Sequence, residues 1–262
     1  MLAAISILFF VFLALAVPVA FALGLATVPF FLAGEFMPLT VAMQRMIGAL
    51  ENFPLLAVPF FVLAGNLMNV GGITLRLLKF ARLLTGWMAG GLGQVAIMLS
   101  ALMGGISGSA VADAAMEARL LGDEMKKRGY ALGFTANVIA FSSVITATIP
   151  PSIGLVLFGF VAEVSIGKLL LGGVIPGILM TVVLMVTTSI IAKKHGYKPE
   201  TVGWPKAREV WDSFLECFWA LVFPVFLIVG FRYGFFTATE AGAVVVGYAL
   251  FVGTFIYRDL TW

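Results

Sequence analysis

The sequence predicts an all-α membrane protein, a polytopic helical bundle that carries one re-entrant hairpin and one broken helix. Three observations support this. Apolar residues make up 61% of the 262 positions and charged residues only 11%, less than half of the roughly 25% usual in a soluble domain. Uncharged runs long enough for a bilayer, about 20 residues each, recur along the chain, and mean hydropathy is +1.10. Two of these runs are broken in the middle by glycine–serine or double-proline clusters. The net charge of +3 is gathered in a few basic clusters, which suits membrane orientation better than nucleic-acid binding. The single cysteine, Cys217, leaves no internal disulfide to form. The single histidine, His195, sits in a polar stretch, so the sequence offers no His/Cys metal site.

The elements follow in order. Met1 to Gly34 is uncharged and reads as retained membrane sequence, since the apolar run is longer than a signal-peptide core. It suits one long tilted helix, or one helix and part of another. Phe53 to Val70 is a second run, opened by Pro54 and closed by Gly71-Gly72. From Thr74 to Leu84, Arg76, Lys79 and Arg82 form one stripe among leucines, the pattern of a helix lying in the membrane interface. Gly91 to Met103 is apolar, breaks at Gly104 to Ser109, and resumes as a helix that is densely charged by Asp123 to Arg128. The second arm is too short to span, so Gly91 to Tyr130 is predicted as a hairpin with its tip inside the membrane. Ala131 to Lys168 is apolar and interrupted at Thr148-Ile149-Pro150-Pro151-Ser152. Spans are predicted at 172–192, 214–231 and 236–257, with a polar loop over 193–212.

Lysine and arginine concentrate at 76–82 and 193–208, which places both clusters in the cytoplasm. The organisation reads as scaffold and interfacial arm over 1–90, hairpin and broken helix over 91–171, a span and cytoplasmic loop over 172–212, and the start of a second repeat over 213–262. The repeat rests on proline followed six positions later by glycine: Pro18/Gly24, Pro59/Gly65 and Pro224/Gly230. Inverted repeats are common in secondary transporters. Counterparts of the hairpin tip and the double proline would fall beyond Trp262, so the chain is expected to be an incomplete transporter. An inverted pair also needs two crossings before Phe53, where hydropathy shows one and a half.

Irregular backbone inside a membrane is tolerated only where protein or a water-filled cavity surrounds it. Interrupted helices expose carbonyls that have lost their partners, and carbonyls with hydroxyls are hard ligands for a small cation. At the first break the candidates are Ser107, Gly108 and Ser109, with Asp113 one turn into the next helix. Asp113 is read two ways, as a functional intramembrane acid or as a charge that favours a helix N-terminus. At the second break, Pro150 and Pro151 remove two amide donors. Ser142, Ser143, Thr146, Thr148 and Ser152 crowd around them. The bland readings are a kinked helix with capping serines and a prolyl kink patched by hydroxyls. Elsewhere, Thr237 to Glu240 fits a capping box, Asn66 and Asn69 fit helix-end hydrogen bonding, Gly172, Gly173 and Gly177 fit close helix packing, and Lys126 to Arg128 fit an interfacial anchor.

These motifs resemble those of the large membrane subunit of tripartite ATP-independent periplasmic (TRAP) transporters. The resemblance rests on Phe53 to Phe61, Ala64 to Met68, Gly71 to Thr74, Gly105 to Asp113, Ile149 to Ile153, Ser165 to Gly167 and Ile175 to Gly177, and runs along nearly the whole chain. It implies a multi-pass protein of the bacterial inner membrane and sodium-driven symport of small organic acids such as C4-dicarboxylates or sialic acid. It also implies an elevator mechanism, a small membrane subunit and a periplasmic solute-binding protein as partners beside the lipid bilayer, and sodium bound near Ser107 to Ser109 and Thr146 to Ser152. Two departures stand out: Thr146-Ala147 where the family often has Gly-Pro, and Ala238 where it often has proline. The alternatives are a sodium-coupled anion carrier without a binding protein, a passive channel, and a membrane-embedded enzyme. A channel would use a continuous pore, whereas paired broken helices favour a discrete site. An enzyme would need an acid–base pair, a nucleophile with its base, or metal ligands, which one loop histidine, one cysteine and one intramembrane aspartate do not supply.

Overall fold

The structure is a computed structural model that describes residues 2–33, 39–51, 53–201 and 203–260. Gly34 and Trp262, which end two of the predicted segments, lie outside the described residues. Thirteen α-helices account for most of what is described, and no strand occurs among these residues. They form two compact units, 1–52 and 53–262.

The first unit holds α1 (Leu2–Ala14), α2 (Val19–Ala33) and α3 (Leu39–Leu50). The uncharged first run is thus two helices, broken between Leu15 and Pro18 where Ala16 takes a positive φ of 60°. Proline at position 18 cannot donate to the preceding turn, which ends α1 there. At about 1.5 Å per residue, α1 and α2 are each roughly 20 Å long.

In the second unit, α4 (Ala57–Val70) follows a 3-10 turn at Phe53–Leu56. Gly71 and Gly72 end it, and Gly72 takes the left-handed conformation, φ 71°, that launches α5 (Ile73–Thr85). The expected amphipathic helix is there: Leu77, Leu78 and Ala81 are buried, while the Lys79 side chain is 58% exposed. Helix α6 (Gly91–Gly104) runs to the glycine-rich tip, and α7 (Ala110–Glu117) returns through a π turn at Ala118–Gly122 into α8 (Asp123–Lys127). The two arms lie side by side, joined through Ser100. Helix α9 (Leu132–Thr146) and α10 (Ile153–Val161) are the halves of the broken helix.

Among the described residues, four helical stretches are long and apolar enough to cross a bilayer: 53–70, α11 (Ile166–His195), α12 (Ala207–Tyr233) and 238–256. The last comprises α13 (Ala238–Phe251) and a π turn. Helix α11 begins six residues before the predicted span because Ser165 caps it, accepting from the Lys168 amide at 3.4 Å. The capping box at α13 forms in both directions: Glu240 N–H donates to Thr237 Oγ1 at 3.4 Å, and Thr237 N–H to Glu240 Oε2 at 2.7 Å. Around the hairpin, α6 packs on α5, α9 and α11, and α4 packs on α13.

Two copies of the proline–glycine motif gain a physical meaning here. A Cβ on Gly65 would stand 3.3 Å from Ser107 Cα, and one on Gly105 would run into the ring of Pro224. Helices α4 and α12 therefore grip the hairpin tip, one through its glycine and the other through its proline.

Candidate functional site

The tip of the hairpin and the gap in the broken helix meet. The Ile153 amide donates to the Gly108 carbonyl at 3.2 Å. Gly108 has a φ of 60°, and a Cβ there would strike the Pro151 carbonyl. Only glycine adopts this left-handed shape without strain, so the close approach depends on that residue. Behind the gap, Gly173 of α11 lies against the Thr148 carbonyl and Gly177 against the Ile149 side chain. Gly172 meets nothing within 4 Å and has no such role.

Beneath the tip lies a buried polar cluster. Thr146 Oγ1 donates to Asp113 Oδ2 at 2.6 Å, and Ser100 Oγ stands 2.9 Å from the same oxygen. Ser100 Oγ is also 2.7 Å from Glu117 Oε1, and Ser142 Oγ is 3.0 Å from Glu117 Oε2. Asp113 is 1% exposed and Glu117 and Ser100 are 0% exposed. Ser100 has one hydroxyl hydrogen and cannot donate to both carboxyls at once. Burying two acids this closely is costly without compensation, so the three hydroxyls hold the group together.

Two polar atoms here are left over. Asp113 Oδ1 and Ser107 Oγ are buried without a hydrogen-bond partner. Both residues line a cleft of about 100 Å³, together with Gly65, Asn66 and Asn69 of α4 and Ser109. Buried polar groups in native folds are almost always paired, so these two atoms point to a ligand. Hard oxygens from a carboxylate and a hydroxyl, on a cleft that Asn66 and Asn69 also line, suit a small hard cation. Asn66 and Asn69, which the sequence suggested for helix-end bonding, thus line the cleft.

The predicted residues divide by what their side chains touch. Asp113, Ser142 and Thr146 belong to the cluster, whereas Ser107 lines the cleft with its hydroxyl unpartnered. Ser109 caps α7 by accepting from the Ala112 amide at 3.4 Å. Ser143 donates to the Ile139 carbonyl at 2.6 Å within α9, and Thr148, just past its end, reaches back to the Val144 carbonyl at 2.9 Å and lies 3.8 Å from Met180 Sδ of α11. Ser152 caps α10, accepting from the Leu155 amide at 3.2 Å, and donates to the Ala147 carbonyl at 2.5 Å. Pro150 and Pro151, joined by a cis peptide, shape the gap. The sequence reading missed Ser100 and Glu117. Glu117 was legible: it follows Asp113 by four positions, which places both acids on one helix face.

At the other end of the hairpin, Arg82 of α5 bridges Glu124 of α8, at 2.5 Å, and Glu200 of the loop before α12. Arg128 joins Glu124 at 2.9 Å. The hydrogen bond from Arg82 holds the Glu124 carboxyl below the usual range. Burial pushes the Glu200 carboxyl up, with the attraction of Arg82 opposing it.

Comparison with known proteins gives this architecture a family. The model of the tripartite ATP-independent periplasmic transporter, DctM component, matches residues 6–262. The sialic acid TRAP transporter large permease protein SiaM of Vibrio cholerae is 45% identical over 93% of this chain and 57% of its own length. The sialic acid TRAP transporter permease protein SiaT of Haemophilus influenzae is 41% identical over 94% of this chain and 39% of its own. The 2,3-diketo-L-gulonate TRAP transporter large permease protein YiaN of Escherichia coli is 40% identical over 95% of this chain and 58% of its own. The chain thus spans about half the length of the curated relatives it matches, and these relatives are named permease proteins, not enzymes. A multi-pass helical architecture and the family match over nearly all of its residues establish that this chain belongs to the DctM component family of TRAP transporters, inner-membrane proteins.

Proposed function

We propose that this chain supplies one half of the coupling-ion and substrate machinery of a sodium-driven TRAP permease for small organic acids. The observation that carries the reading is the pair of buried, unpartnered oxygens, Asp113 Oδ1 and Ser107 Oγ, on a cleft between the hairpin and α4. A sodium ion held there would give both atoms a partner. Asp113 would supply the charge, and Ser142 and Thr146 with Ser100 would fix the acids beneath it. Ser109, Ser143, Thr148 and Ser152 would keep the backbone of the two interruptions in shape. Relatives named for sialic acid and 2,3-diketo-L-gulonate support a small organic acid as cargo.

In this reading the segment 91–128 enters the membrane from the cytoplasmic side and does not cross. Helices α6, 14 residues, and α7, 8 residues, are each too short to span about 30 Å, and the second arm continues only into the charged run Asp123 to Arg128. The hairpin and broken helix would travel together as an elevator against α4 and α12. A small membrane subunit would brace the scaffold, and a periplasmic binding protein would deliver the substrate. The test is uptake by the full-length permease reconstituted with both partners under an inward sodium gradient. Ser107→Ala and Asp113→Asn should each raise the sodium concentration for half-maximal uptake several-fold at equal protein level. Unchanged sodium dependence in both variants would sink the assignment.

A further inference from the structure

A second cavity lies outside the ion site, at the interfacial end of α5. It is a slot of about 550 Å³ between α5 and the start of α12, within the roughly 300–1,000 Å³ range of small-molecule sites. One side is Phe80, Leu84 and Trp87; the other is Trp204, Trp211 and Phe214. The two sides touch where Trp87 stacks on Trp204, centroids 4.4 Å apart, and where Phe80 meets Phe214 at 6.3 Å, which fixes the floor of the slot; Trp211 stacks on Phe214 at 5.6 Å. The Trp87 indole N–H already donates to the Leu84 carbonyl at 2.9 Å, so this ring offers the slot an apolar surface. The mouth is open: Trp204 is 78% and Trp211 60% exposed.

Charge around the slot is sorted by helix geometry. With about 3.6 residues per turn, Ala207, Val210, Trp211 and Phe214 share the face of α12 that lines the cavity. Lys206 and Arg208 flank that face, whereas Glu209 and Glu216 point the opposite way. Arg208 has one loose contact with Asp212, 4.0 Å, and its side chain is 92% exposed. Lys79 flanks Phe80 on the other wall and is engaged by Glu216 at 2.7 Å. The slot therefore combines an apolar interior with a cationic rim, at the depth where an amphipathic helix and tryptophans mark a membrane interface.

We propose that this slot is a binding site for an anionic phospholipid, with acyl chain along the exposed faces of Trp204 and Trp211 and phosphate at Lys206 and Arg208. The complementarity is twofold. A fatty chain removes the exposed indole faces from water, and a headgroup with net negative charge meets Lys206 and Arg208, of which Arg208 has only the loose 4.0 Å contact with Asp212 to give up. Zwitterionic lipid satisfies the first condition and not the second. This proposal is independent of ion coupling.

The experiment uses the full-length protein in nanodiscs containing phosphatidylglycerol or phosphatidylcholine with brominated acyl chains, which quench tryptophans that they touch. Brominated phosphatidylglycerol diluted into unlabelled phosphatidylcholine should quench more than brominated phosphatidylcholine at the same fraction. The excess should disappear in Trp204→Phe/Trp211→Phe, which assigns it to the slot. Lys206→Gln and Arg208→Gln should each lower the relative affinity for the anionic lipid about fivefold, the effect of one cation near a charged surface. Quenching by phosphatidylcholine should stay unchanged in those two variants, showing that the slot is intact. Equal quenching by the two lipids would overturn the proposal. So would tryptophans that no brominated lipid reaches, because protein would then cover the slot.

Discussion

The Ile153 amide and the Gly108 carbonyl, 3.2 Å apart, join the hairpin tip to the broken helix. That bond forms only because Gly108 presents no Cβ to the Pro151 carbonyl and holds φ at 60°. Gly108→Ala should cost about 1–2 kcal/mol from the left-handed backbone alone, plus the clash. Gly108→Val should cost more, because a branched Cβ enlarges the clash. In the full-length permease both variants should lower the detergent melting temperature, valine further than alanine. Equal stability of alanine and wild type would show that the two interruptions do not depend on this contact.

The acid pair gives a second prediction. Ser100 Oγ reaches both Asp113 and Glu117 inside a fully buried site. Ser100→Ala removes the hydroxyl that both carboxyls contact and leaves a buried polar oxygen without a partner, a loss of about 1–3 kcal/mol. Ser100→Thr keeps the hydroxyl and should retain most of that stability. Glu117→Gln keeps the size of the side chain and a carbonyl that can accept a hydrogen bond, so it should be tolerated far better than Glu117→Ala. Thermal melts of the four variants test this directly; equal losses for glutamine and alanine would contradict the hydrogen-bonded role.

Much of this was legible in the sequence because a bilayer demands long apolar runs, and their interruptions stand out against it. The spans 53–70, α11, α12 and α13, the amphipathic α5 and the breaks at Ser107 to Ser109 and Thr148 to Ser152 all follow from composition and Gly/Pro chemistry. What stayed hidden was pairing. Position alone does not say that Ser143 and Thr148 bond back to carbonyls of α9 while Thr146, between them, turns to Asp113. The i+4 spacing of Glu117 from Asp113 is legible but was not used. Unbroken hydrophobicity left open whether the first run is one helix or more, since Leu15 to Val17 differ little from their neighbours.

The Arg82 network should make stability depend on pH. Arg82 favours the ionised forms of Glu124 and Glu200. Removing it by Arg82→Gln therefore raises both carboxyl pKa values in the folded state. The variant should be less stable by about 1–2 kcal/mol at neutral pH, between the values for exposed and buried pairs. The difference should be full above both carboxyls and shrink as pH falls through them. For Glu124, whose folded pKa is depressed, the loss comes below the usual carboxylate range. For Glu200, raised by burial, it begins higher. Melting curves from pH 4 to 8 check this, and a gap that stays constant with pH would rule out the network as its source.

The last prediction concerns how the hairpin sits in the membrane. If 91–128 enters and leaves on one side, the residues before Gly91 and after Glu124 share a compartment. The ion pair between Arg82 of α5 and Glu124 of α8 already brings the two ends together, which a single crossing of the bilayer by this segment could not do. Single cysteines at Met88→Cys and Lys127→Cys test this, because both positions are at least partly exposed. Gly90 is a poor choice, since its φ is 75° and a Cβ would stand 2.6 Å from that of Ala192. The native Cys217 is buried and can be replaced by alanine as background. In sealed inverted vesicles of the full-length protein, a membrane-impermeant maleimide should label both cysteines; in right-side-out vesicles it should label neither. Labelling of the two positions from opposite sides would make 91–128 a crossing and would remove the hairpin tip from the ion site.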